Sequence, residues 1–203
     1  MLSAVVLAAG LSSRMENKNK LLLPYRGKTI LEVTLDHLLA AGIDEVVVVT
    51  GRDAHLVGPL LERLPVRIVH NADFALGLTG SIQRGVEAAK GNGYMICLAD
   101  MVWITPEEYA LIGQHFTLQR ELHPACICLP EYRGQKGNPV VFSDHYRGAI
   151  AAHRAPEGCR EIVADNKENI YRVEMPTDHI LRDIDTPGDY LAAGVPEMGQ
   201  KDD

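Results

Sequence analysis

The residues best suited to chemistry stand at the end of the first apolar run. Leu7-Ala8-Ala9-Gly10 leaves a β-branched stretch through small side chains, so a ligand can approach the backbone and meet its N–H groups. Basic residues follow at once. From Arg14 to Lys28 there are Arg14, Lys18, Lys20, Arg26 and Lys28 against Glu16, five cations to one anion, in a chain of net charge −7. Backbone donors beside concentrated positive charge suit a phosphate-bearing ligand; the plainer alternative is a serine-rich surface loop with solvated charges. Two commoner phosphate motifs fail. Gly27-Lys28-Thr29 resembles the end of a P-loop, but the position that needs glycine is Leu22. The dinucleotide fingerprint fails too, because Gly10 is followed by Leu11, Ser12 and Ser13.

A second candidate is Asp100, just past the apolar run 94–98. A magnesium ion takes oxygen ligands, commonly one or two carboxylates plus substrate phosphates, and a carboxylate at a strand end is well placed for that. Capping a turn is the simpler role for the same residue. Thr79-Gly80-Ser81 precedes an apolar helical pattern and is open to two readings, a plain N-cap or backbone donors facing an anion. The histidines, His70 at a strand end among them, form no metal-ligand spacing, and no Ser-His-Asp or Cys-His order stands out. Cys126 and Cys128 would share a strand face, but no partner pair stands at zinc spacing, so buried free thiols are expected for them and for Cys97.

What must position these residues is a layered sheet. Strand-like runs at 4–8, 45–50, 66–70, 94–98, 125–129, 139–142 and 170–173 alternate with helical patterns, and several are apolar on both faces. Thr29 with Glu32 and Thr105-Pro106 with Glu108 are capping signals, Gly42 stops the first helix, and Thr186-Pro187 opens a last short one. Alternating strands and helices predict an α/β fold, a Rossmann-like, doubly wound and mostly parallel sheet with right-handed crossovers, in one domain over residues 1–203. In such sheets ligands collect beyond the carboxyl ends of the strands. The 203 residues, 46% of them hydrophobic, suffice for a core without staples. The acidic balance speaks against a nucleic-acid partner, and no apolar stretch approaches a membrane span. A cytoplasmic protein is expected.

Taken together, Leu7-Ala8-Ala9-Gly10-x-Ser12-x-Arg14-Met15 and Lys20-Leu21-Leu22-Leu23-Pro24 resemble the nucleotide-binding signature of the molybdopterin nucleotidyltransferases, most closely the cytidylyltransferase branch. The resemblance extends through His70-Asn71, Gly77-Leu78-Thr79-Gly80-Ser81-Ile82, Leu98-Ala99-Asp100-Met101, Gly137-Asn138-Pro139-Val140 and Asp183-Ile184-Asp185-Thr186-Pro187. It implies the nucleotide-diphospho-sugar transferase type of fold and a Mg2+-dependent transfer of CMP from CTP to the terminal phosphate of molybdopterin. It further implies that Leu7, Ala8, Ala9 and Gly10 hold the nucleotide through backbone groups, with Asn71, Thr79, Gly80 and Ser81 contributing. Arg14 and Lys20 would grip the triphosphate, and Asp100, with Asp185 rather than Asp183, would bind the metal. Glu16, Ala99, Val102 and Asn138 stand where the family usually has Gly, Gly, Pro and His. Two other readings remain: another nucleotide or phosphorylated acceptor such as a sugar phosphate, or a non-catalytic carrier that hands cofactor to a molybdenum hydroxylase.

Overall fold

A computed structural model describes residues 1–10 and 19–194. Arg14, Glu16 and Lys18 therefore lie outside the described residues. Within them, ten strands and seven α-helices follow in the order β1 (Leu2–Ala8), β2 (Pro24–Tyr25), β3 (Lys28–Thr29), α1 (Ile30–Ala40), β4 (Glu45–Thr50), α2 (Ala54–Leu61) and β5 (Arg67–His70). The second half adds α3 (Leu78–Ala88), β6 (Gly93–Leu98), α4 (Pro106–Leu122), β7 (Ile127–Tyr132), β8 (Gln135–Lys136) and β9 (Val140–Ser143). The last elements are α5 (Arg147–Ala152), α6 (Arg160–Asp165), β10 (Ile170–Glu174) and α7 (Pro187–Ala192).

The main sheet runs β10-β7-β9-β6-β1-β4-β5, with β8 paired to β7, while β2 and β3 form a small hairpin of their own. All neighbours on the main path are parallel except β9, which runs against both β6 and β7. The sheet is the expected mostly parallel one. Its reversed strand gives no local sign, since 139–142 is apolar like its parallel neighbours.

Alternate residues of β1 separate the two layers. Ala4, Val6 and Ala8 face a core shared with Leu31, Leu35, Tyr109 and Ile112 of α1 and α4. Val5 and Leu7 face the other core, with Ile82 and Val86 of α3, Ile150 of α5 and Ile162 of α6. The central strands are buried on both faces, which is why they read as unbroken aliphatic runs. The capping signals form as expected: Thr29 with Glu32 and Thr105 with Glu108 each make both bonds of a capping box. Thr186 makes the same arrangement with Asp189 at the start of α7.

The start of α3 departs from expectation. Neither Thr79 nor Ser81 is its N-cap; the helix opens at Leu78 after Gly77, with no side-chain cap. Gly77 has φ +115°, and a β-carbon there would stand 2.7 Å from the Pro156 carbonyl oxygen, so glycine is required by conformation and by space.

Candidate active site

Beyond the carboxyl ends of β1 and β6, the fold gathers one ammonium and three carboxylates. The Lys20 Nζ forms an ion pair with Asp100 and lies 2.7 Å from the Asp185 Oδ1. One carboxylate oxygen from each of Asp100, Asp183 and Asp185 falls within 4.8 Å of the others. Each arm is held locally. Asn19 caps the 3-10 turn that opens with Lys20, accepting from the Leu21 N–H while its amide donates to Asp53 at 2.9 Å. The Tyr190 hydroxyl of α7 donates to the Pro24 carbonyl at 2.6 Å, which ties that segment to the C-terminal arm. On the same arm, the Asp189 carboxylate that completes the α7 capping box also accepts from the Asp185 N–H.

The electrostatics follow from crowding. Burial by itself lowers the Lys20 pKa, but Asp100 and Asp185 outweigh that and raise it, so the ammonium stays charged. Asp183 is pushed up by burial and then by the negative charges of Asp100 and Asp185. The Asp100 Oδ1 is buried without a hydrogen-bond partner among the described residues. A carboxylate oxygen in that position is an incomplete ligand set, and three carboxylates so close suit a hard divalent cation.

A cavity of about 310 Å³ opens beside this cluster, lined in part by Leu7, Ala9, Gly10, Lys20, Ser81 and Asp100. This size lies at the small end of ligand pockets. Behind the cavity-lining Ala9 and Phe74, Gly51 packs so tightly that a β-carbon there would come within 2.8 Å of both residues. Ser81 lines the cavity, and buried Asn71 braces it by donating its amide to the Ser81 hydroxyl at 3.0 Å. Thr79 is turned elsewhere. Its hydroxyl donates to the Ala155 carbonyl and accepts from the Gly158 N–H, fastening α3 to the loop before α6.

A second hollow of about 480 Å³ adjoins the first on the α3 and α6 face and shares Leu7, Leu78 and Leu98 with it. Its floor is apolar, from Ile82, Ile96, Val140 and Phe142, and its rim carries Lys136, Asn138, Arg160 and Lys167 against Glu157. Cys159 also lines it; burial pushes this thiol up to about 12, which keeps it protonated and unreactive.

Thus Leu7, Ala9, Gly10, Lys20, Ser81 and Asp100 come together around one cavity, with Asp185 beside them. Ala8 points into the opposite layer, and Asn71, Thr79 and Gly80 stand behind the wall rather than on it. Asp183, set aside in the sequence in favour of Asp185, joins the cluster. Its spacing of two from Asp185 was the available signal, since alternate residues of an extended segment share a side. Gly51, Phe74 and the cationic rim gave no local signal.

A mostly parallel α/β sheet with small residues at the first strand exit, and a lysine bridging carboxylates across its carboxyl edge, suits a phosphate-handling enzyme such as a nucleotidyltransferase. The chain belongs to the MobA-like NTP transferase domain family, whose model matches residues 4–170. It is 28% identical over 193 residues to the molybdenum cofactor cytidylyltransferase of Escherichia coli, covering 95% of each chain. It is likewise 28% identical to the nicotine blue oxidoreductase of Paenarthrobacter nicotinovorans, covering 91% of this chain and 92% of that one. Among solved structures, a nucleotidyl transferase from Methanothermobacter thermautotroptrophicus superposes with a TM-score of 0.81 at 29% identity, over 95% of each chain. Among the described residues, no helix is long and apolar enough to cross a membrane.

Proposed function

We propose that this protein transfers CMP from CTP to the terminal phosphate of a molybdopterin-type acceptor and releases pyrophosphate. The observation that carries this reading is Lys20 bridging Asp100 and Asp185 at the mouth of the strand-exit cavity. An acceptor phosphate oxygen attacks the α-phosphorus of the nucleotide; a new P–O bond forms as the bond to the β-phosphate breaks, and pyrophosphate carries away the charge. Both reactants are anionic, so the work of the site is positioning and charge neutralisation, with no enzyme nucleophile.

Each side chain has a part in that reading. Asp100, Asp183 and Asp185 would hold a divalent cation, Mg2+ by the resemblance, and when bound it would neutralise phosphate oxygens. Lys20 offsets part of the repulsion among the carboxylates and offers a compact charge to the β- and γ-phosphates. Backbone groups around Leu7, Ala9 and Gly10 seat the nucleoside. By the resemblance, Arg14 would add a fork to phosphate oxygens. The Ala9 methyl on the cavity wall favours the smaller base. The adjoining hollow takes the acceptor, its rim cations drawing the phosphate and its apolar floor receiving the ring system.

A panel of CTP, GTP, ATP and UTP with molybdopterin and Mg2+, followed by pyrophosphate release, tests the proposal. CTP is expected to be preferred, and Ala9→Gly to relax that preference. Equal use of GTP by the unaltered protein overturns the base assignment. The nicotine blue oxidoreductase among its relatives favours a second reading, a redox reaction on the same scaffold. Absence of pyrophosphate with every nucleotide, together with nucleotide-cofactor-dependent bleaching of a dye, would favour that reading instead.

A further inference from the structure

Glu108 is 4% exposed, and it does more than its place in a helix start requires. In a capping box the Glu three residues after the N-cap reaches back to the N-cap backbone, and Glu108 does so, accepting from the Thr105 N–H at 2.9 Å. The same carboxylate accepts two further bonds from a distant stretch of chain, one from the Thr177 hydroxyl and one from His179 Nδ1 at 2.9 Å. That stretch, residues 177–185, ends in Asp183 and Asp185. Its middle is pinned as well: the Ile180 carbonyl accepts from the Asn138 N–H at 3.0 Å, and Ile180 and Ile184 are buried. A second tie joins the same two regions, because the Arg182 guanidinium lies 4.5 Å over the ring of Trp103, three residues past Asp100.

We propose that Glu108, through His179 and Thr177, together with the Arg182–Trp103 stack, is a positioning device for the three carboxylates. The proposal rests on the reading of Asp100, Asp183 and Asp185 as a metal site. The physical reason is repulsion. Three like charges within 4.8 Å drive their segments apart, and only one of them, Asp100, belongs to the loop that starts α4. Glu108 and Trp103 belong to that same stretch, so their bonds to residues 177–182 fix the distance between Asp100 and the other two. Outer partners of this kind set the orientation of ligands and change metal affinity about 10-fold or more when removed.

The test titrates Mn2+ into the full chain and follows free ion by electron paramagnetic resonance, with the thermal midpoint measured on each variant. His179→Leu removes the donor to Glu108, whereas His179→Asn keeps an N–H at the place of Nδ1. Arg182→Ala, at an exposed side chain, breaks the second tie with little risk to folding. Expected are Mn2+ affinities about 10-fold weaker for His179→Leu and weaker also for Arg182→Ala, with His179→Asn close to the unaltered protein. Unchanged affinity in both His179→Leu and Arg182→Ala, while Asp100→Asn abolishes binding, overturns the positioning role and leaves the metal site standing. Binding of Mn2+ to Asp100→Asn as to the unaltered protein overturns both.

Discussion

The two adjoining hollows differ in their physics. The smaller one is bounded by charges that are already paired and held: Lys20 against Asp100 and Asp185, each on a segment fixed by caps and ties. The larger one has an aliphatic floor and a rim of cations, Lys136, Arg160 and Lys167, set on the short β8, on α6 and on the turn before β10. Charge that must act in a transition state is preorganised, because reorganising it during the reaction would cost what it gains. Charge that only attracts a substrate needs no such fixing. If the proposed reaction runs as described, the difference means that substitutions in the first hollow should damage turnover, and those in the second should damage acceptor binding.

The strongest way to break this comparison is Asp100→Asn. The shape is kept and the charge removed, and a rate loss on the order of 10²–10³ is expected in a pyrophosphate-release assay. Full activity at limiting magnesium would show that the cluster does not act in the reaction. Next comes Lys20→Met, for which a turnover loss of roughly 10² is expected, mainly in kcat. A change confined to the KM for nucleotide would mean that Lys20 binds without acting in the transition state.

On the other side, Lys136→Glu and Arg160→Glu should each raise the acceptor KM about 10-fold, equal to about 1.4 kcal/mol, with the nucleotide KM little altered. An equal rise in both constants would merge the two hollows into one site. The turn lining the first hollow can be tested through Gly77→Ala, which forces a β-carbon onto Pro156 at a positive φ. A loss of about 2 kcal/mol in urea unfolding is expected, and an unchanged midpoint would show that the turn adapts freely.

The smallest effect is also the one with opposite sign. Because burial and its neighbours raise the Asp183 pKa, the folded chain takes up this proton at higher pH than the unfolded chain, so stability rises as pH falls through that value. Asp183→Asn should therefore raise the thermal midpoint at neutral pH by about 2 °C while weakening Mn2+ binding. A lower midpoint would mean that Asp183 is held by attraction rather than strained by repulsion.

Much of this arrangement is written in the chain. The aliphatic runs 45–50 and 94–98 form strands at those places because residues apolar on both faces fit a sheet covered by two layers. Thr29, Thr105 and Thr186 set helix starts through bonds spanning three residues, which a sequence displays directly. Leu7, Ala9, Gly10, the lysine at 20 and the aspartate at 100 are likewise legible as candidates, since small residues and charges at strand exits leave room for a ligand, and they line one cavity.

Other features were decided only by the tertiary structure. Strand direction leaves no mark on an apolar tetrapeptide, so the reversal of β9 depends on its neighbours β6 and β7. Thr79, open in the sequence to a reading as a cap, is a tie to Ala155, because the helix opens after Gly77 at Leu78, two residues earlier than a Thr79 cap would place it. Asp183 and Glu108 gain their meaning from residues about seventy or more positions away, across which no sequence spacing reports distance. The sequence by itself determined the local bonds and the alternation that builds the sheet. Which distant charges meet, and how closely, was decided by packing the two layers onto that sheet, because Coulomb energy depends on separation in space and not along the chain.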